Sequence, residues 1–169
     1  MEEKGEIRNR VEESGLIQLE LSKLSSVDCV ELDFTSWLKH GLVVVEKEFR
    51  DKVSELDTSK YEGKGVGLTV TDEAIIPDWA WMVICEKISN AAFVVIGGKS
   101  VAKTEALNLA INNLNLESYR DKRVIVRGCD EGGGPAELLK LQMKLQPVVS
   151  SLMFGEACST VPVFKKKKC

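Results

Sequence analysis

The chain has 169 residues, 44% of them hydrophobic and 29% charged, with a formal net charge of −3. That length can bury a full core, that composition is globular, and that charge excludes a general attraction to nucleic acid or anionic lipid. No apolar run reaches the roughly 18 to 20 residues of a membrane span, and the opening "MEEKGEIRNRVEES" is charged rather than signal-like, so a cytoplasmic protein without membrane contact is expected.

Residues 6–13 carry a short helical pattern. "LIQLEL" (16–21) and "CVELDF" (29–34) then alternate apolar with polar positions, which predicts two half-buried antiparallel strands. "TSWLKHG" predicts a short helix ending at Gly41, with His40 in its last turn. "EKEFRDKVSEL" places Phe49, Val53 and Leu56 at helical spacing.

From residue 65 the pattern changes to short apolar strands, "VGLTV" (66–70), "FVVI" (93–96) and "VIV" (124–126), alternating with amphipathic helices. This is the grammar of a parallel sheet covered on both faces. The first helix begins at Pro77 and aligns Trp81, Ile84, Cys85 and Ile88. The second begins at Ser100 and aligns Leu107, Ala110, Ile111 and Leu114.

The third helix begins near Pro135, with Leu138, Leu141, Leu145, Val148 and Leu152 as its stripe and Pro147 interrupting it. The expectation is an α/β fold. It is a single three-layer-type domain over 1–164, with a parallel βαβαβα core (strands near 66–70, 93–96 and 122–127) and an N-terminal antiparallel strand pair on the same sheet. Residues 165–169 are expected to be a disordered basic tail, since four like charges at a terminus are ordinarily solvated.

In such a sheet, strand C-termini and helix N-termini converge on one edge. The loops there offer Asp72, Glu73, Asp78, Lys99, Ser100, Asp130 and Glu131 as a candidate pocket edge. "GGKS" (97–100) resembles part of a phosphate-binding loop, but Phe93 stands where the motif needs its first glycine, and a turn with Ser100 as N-cap is the simpler reading. Carboxylates at adjacent strand ends could hold Mg²⁺ for an enzyme, although solvated acids in first turns are commonplace. His40 is the only histidine, which excludes multi-histidine metal sites.

The five cysteines, Cys29, Cys85, Cys129, Cys158 and Cys169, are widely spaced and expected to be reduced. Cys85 falls on a helical stripe and is expected in the core. Cys129 follows a strand and precedes a glycine-rich loop into a helix, where amides and dipole lower a thiol pKa. Whether Cys158 can reach it depends on Pro147. An unbroken helix over 136–154 would run about 28 Å and carry Cys158 to the opposite sheet edge, whereas a reversal at Pro147 brings it back.

"FRDKVSELDTSKYEGKGVGLTVTDEAIIPDWAWM", "VIVRGC" and "LQPVVSSLMFGEACSTVPVFKK" resemble blocks of DUF2480, a bacterial family of unknown function, and "IRNRVEESGLIQLEL" and "SWLKHGLVVVEKEFR" resemble its N-terminal region. The resemblance implies that Pro77, Trp79, Cys129 and the string Gly155 to Pro162 occupy family motif positions. It assigns no reaction, and "DEGGGPAELLKLQ" departs from the family's usual loop. It also implies an association with iron–sulfur cluster assembly of the sulfur-mobilisation type, a link to a process rather than a chemistry.

Three functions are open. The favoured one is a non-catalytic accessory factor in iron–sulfur cluster or thiol metabolism, with Cys129, Cys158 and Glu156 meeting a transition metal, a sulfur species or an iron–sulfur assembly protein. The second is an enzyme with Mg²⁺ or a Cys129 nucleophile at the sheet's C-terminal edge. The third is an interaction module, including a homo-oligomer, anchored by Trp79.

Overall fold

The computed structural model describes residues 16–128, 133–156 and 159–167. The helical pattern expected at 6–13 lies outside them. In chain order the elements are β1 (Leu16–Glu20), β2 (Cys29–Asp33), α1 (Glu46–Ser54), β3 (Gly65–Thr69), α2 (Asp78–Lys87), β4 (Phe93–Ile96), α3 (Lys99–Asn112), β5 (Arg123–Arg127), α4 (Pro135–Leu145), β6 (Ser151–Glu156) and β7 (Ser159–Lys165). Among the described residues no helix is long and apolar enough to cross a membrane.

The chain divides into two compact units, one of Met1–Leu24 with Ala110–Cys169 and one of Ser25–Leu109. The second is inserted in sequence between β1 and β5. We call it the inserted unit and the other the terminal unit.

The inserted unit holds a parallel sheet of order β2-β3-β4. One face presents Leu32, Phe34, Val66 and Leu68, which pack with Phe49 and Val53 of α1 and Ala80, Ile84 and Ile88 of α2. On the other face Cys29 packs with Ala102 and Ala106 of α3, joined by Phe93 and Val95. Glycine at 67 is required there. A Cβ would lie 2.4 Å from the Gly97 carbonyl oxygen, so only glycine lets the turn leading into α3 cross β3 this closely.

The terminal unit holds a sheet of order β1-β5-β6-β7 in which β1, β5 and β6 are parallel and β7 returns antiparallel to β6. Helix α4 is the crossover between β5 and β6. Gly134 donates its N–H to Glu137 Oε2 at 2.9 Å at the start of α4, which satisfies both the loop amide and a carboxylate that is 5% exposed. The helix ends at Leu145, and Pro147 lies in the turn that reverses the chain into β6.

Several expectations need correction. β1 and β2 are not an antiparallel pair; they lie in different sheets, each parallel to its neighbour. Each alternates because its two faces differ in polarity, which a parallel strand shows as readily as an antiparallel one. The strand at 123–127 joins β1 and β6 rather than β3 and β4, so the expected core is split between two sheets.

Residues 148 and 152 do not continue the third helix, because Leu152 belongs to β6 and is buried there. The buried stripe of α2 is Ala80 and Ile84, continued by Ile88 just past its end, which turns Cys85 out to an exposed position. α3 begins at Lys99, so Ser100 is inside the helix rather than its N-cap. His40 lies beyond the short 3-10 turn Thr35–Trp37, in a left-handed conformation with φ 56°. At the other end of the chain Lys165 closes β7 and the Lys166 amide donates to the Ser150 carbonyl at 2.9 Å.

Candidate functional site

The C-terminal ends of β1, β5 and β6 are neighbours at one edge of the terminal unit's sheet, and each end carries a charged residue. The Arg127 guanidinium of β5 grips Glu156 of β6 with both carboxylate oxygens, Nε to Oε1 at 3.0 Å and Nη2 to Oε2 at 2.6 Å. Its remaining nitrogen, Nη1, meets Glu20 Oε1 of β1 at 2.9 Å. Lys23 Nζ closes the row on Glu20 Oε2 at 2.6 Å. The planar five-donor guanidinium makes this possible, since it can hold two carboxylates in one plane where an ammonium could not.

The row is electrostatically coupled. The hydrogen bond from Lys23, with the charges of Lys23 and Arg127, holds the Glu20 carboxyl below its usual range despite an opposing desolvation effect. The hydrogen bond to Glu156 holds Arg127 still more firmly protonated.

Backbone geometry at this edge is also specified. The Phe154 ring lies against Gly128, where a Cβ would sit 3.1 Å from Cζ. Gly155 has φ 119° and would bring a Cβ within 2.6 Å of the Ser159 oxygen, so glycine is required at the approach to the β6–β7 hairpin. Cys129, Asp130 and Glu131 follow β5, and Cys158 follows β6; all four lie outside the described residues. Glu156 is described and is engaged by Arg127.

The other candidate edge, in the inserted unit, is arranged differently. Asp72 and Glu73 are exposed in the turn after β3, Asp78 is exposed in the first turn of α2, and Lys99 and Ser100 are exposed at the start of α3. The anion at the α3 N-terminus is a carboxylate of the chain itself. Glu31 Oε2 accepts the Lys99 amide at 3.0 Å while its Oε1 accepts the Thr69 hydroxyl at 3.0 Å. That replaces the phosphate that "GGKS" suggests. Among the described residues no three of His, Cys, Asp and Glu form a group able to hold a metal ion.

Trp79 is built into the inserted unit's aromatic cluster. Its ring meets Phe49 edge to face at 5.9 Å, and the Arg50 guanidinium covers it at 5.3 Å. Cys29 is buried, and desolvation pushes its thiol pKa up, away from reactivity.

Nothing in the sequence pattern pointed to Glu20, Arg127 or Glu31. The usable signal for Arg127 is a charge closing an otherwise apolar strand, directly before the Gly-Cys step of "VIVRGC".

A family model described as protein of unknown function, DUF2480, matches residues 5–166. The chain belongs to the DUF2480 family. No curated protein and no solved structure matches it. The DUF2480 match takes in both units, so the strand-end row and the residues that follow β5 and β6 all fall inside the family region.

A concavity of about 210 Å³ lined by Val126, Leu138, Gln142, Leu152 and Phe154 of this DUF2480 chain borders the residues just before Arg127 and Glu156. A groove of about 1280 Å³ lined by Arg123, Ser151, Met153, Pro162, Phe164 and Lys167 lies where β5 and β6 begin, at the far end of the strands from Arg127 and Glu156.

Proposed function

We propose that this protein is a non-catalytic accessory factor of iron–sulfur cluster or thiol metabolism, with Cys129 and Cys158 as its working groups. The observation that carries the reading is the Arg127–Glu156 clamp, which ties the ends of β5 and β6 together two residues before each cysteine. Paired strands run about 4.8 Å apart and each residue advances the chain by no more than about 3.6 Å, so the tethers to the two thiols are short. The reversal at Pro147 supports it too, because β6 runs parallel to β5 and not away from it.

The donor set suits a soft or borderline ion. Thiolates favour iron, zinc or a sulfur species, and Glu156 is a carboxylate at the same edge. Two thiols do not close a four-thiolate cluster, so the remaining ligands come from a second subunit or from the protein that receives the cargo. Such a group would supply transient binding and hand-over. Arg127 would fix the Glu156 carboxylate while Glu20 balances the guanidinium.

The test is the metal and sulfide content of anaerobically purified full-length protein, with transfer to an apo acceptor assayed for wild type, Cys129→Ser and Cys158→Ser. Stoichiometric metal or sulfur that both substitutions abolish is the expected result. Substoichiometric content, together with variants that behave like wild type, would end the proposal.

A further inference from the structure

The large groove of the terminal unit combines an apolar wall with a single sign of charge. Met153 of β6 and Pro162 and Phe164 of β7 supply the wall, and Arg123, Lys165, Lys166 and Lys167 supply the cations. Among the described residues Arg123, Lys165 and Lys167 lie within ion-pair distance of no carboxylate, and Lys166 meets one, Asp121 at 3.5 Å. A chain of net charge −3 therefore keeps a local positive patch here.

The register of the sheet builds the charged row. Arg123 pairs with Ser151 and Ser151 pairs with Lys165, so the two cations stand level across β5, β6 and β7 with one serine between them. Adjacent strands lie about 4.8 Å apart, which sets the two backbones roughly 10 Å from each other. β7 needs an irregularity to achieve this. Met153 faces Pro162 while Leu152 faces Phe164, so Val163 is an extra residue in β7. Without that bulge Phe164 rather than Lys165 would stand opposite Ser151, and re-aiming side chains is what bulges at a sheet edge do.

We propose that this groove docks an acidic peptide segment of a partner protein, with carboxylates on Arg123 and Lys165 and an apolar side chain against Met153 and Phe164. Charge complementarity selects the class of occupant. A volume of about 1280 Å³ exceeds the roughly 300 to 1,000 Å³ of small-molecule sites, which suits an extended segment. Single-stranded nucleic acid has the right sign, but its sites stack successive bases on aromatic rings, and Phe164 is the one aromatic side chain among the described residues of this wall. Pro162 has no N–H to offer an added strand, so recognition runs through side chains. The groove lies at the opposite end of the strands from the thiol site, and the inference does not depend on the thiol proposal.

The test is fluorescence anisotropy of the full chain with a short synthetic peptide of glutamates around a central phenylalanine, combined with NMR shift mapping. The expected result is saturable binding that weakens as salt rises, with shifts centred on Ser151, Met153 and Lys165. Lys165→Glu, at an exposed position, should weaken it about tenfold or more, as should glutamine in place of the peptide's glutamates. Lys47→Glu, exposed on α1, should leave it unchanged. Absent binding, shifts centred elsewhere, or an equal response to Lys47→Glu would each overturn the proposal. So would tighter binding of oligothymidylate or anionic vesicles than of the peptide, or a dimer that Lys165→Glu dissociates, which would make a second copy the occupant. The shift mapping uses wild-type protein, so the result does not depend on a variant folding.

Discussion

Both units end parallel strands at a sheet edge, and the two edges are used in opposite ways. In the inserted unit two strand-end carboxylates are consumed locally, while Asp72, Glu73, Asp78 and Lys99 are exposed. Glu31 caps α3, Asp33 accepts the Thr35 amide at 2.8 Å, and five aromatic rings close the space beside the strands. In the terminal unit the edge gathers Glu20, Arg127, Glu156 and Lys23 into one row across three strands, and Cys129 and Cys158 follow two of those strands in sequence. An edge whose charges serve its own helix caps and turns is architecture. An edge that links charges from strand to strand ties those strand ends together, and it is there that the proposed site is placed.

The sharpest way to break the contrast is to attack the inserted unit's packing. Phe49 is fully buried and touches Phe34, Trp37 and Trp79 edge to face or tilted, so Phe49→Ala should cost about 3 to 5 kcal/mol in chemical denaturation. A loss below about 1 kcal/mol would show that the aromatic cluster is not a core and would reopen that edge as a candidate site.

A smaller effect separates the two kinds of carboxylate. Glu20 is held below its usual pKa chiefly by its bond to Lys23 and by nearby positive charges, whereas Asp33 is held down by hydrogen bonds from Thr35. Both contribute stability that is present above the unfolded-state carboxylate pKa and is lost as pH falls through the depressed folded value. Because salt screens charge pairs more than neutral hydrogen bonds, carboxyl-carbon titration by NMR should show the Glu20 value moving up toward normal in high salt while Asp33 stays put. Equal salt responses would contradict the ion-pair account of the terminal row.

Local periodicity made most individual elements legible. Uniformly apolar runs marked β3, β4 and β5, and helical stripes marked α1 to α3 to within a residue or two and the start, though not the end, of α4. Strand partners were not legible, because alternation along "LIQLE" and "CVELD" reports how the two faces differ and says nothing about which strands lie alongside or in which direction they run. β6 was hidden because Leu145, Val148 and Leu152 continue a helical spacing through Pro147. Cys85 was misplaced because the apolar face of α2 can be drawn through either Trp81 or Ala80, and only packing decides. Glu20 and Arg127 meet across 107 positions of sequence, a pairing that no local pattern encodes. Of the two courses left open at Pro147, the chain takes the reversal.

The most direct test of the strand-end site is the distance between the Cys129 and Cys158 sulfur atoms in a crystal structure of the reduced protein. The account predicts a separation below roughly 7 Å, close enough for two thiolates to share one ion or to be bridged. Sulfurs facing away from each other across the sheet would contradict it.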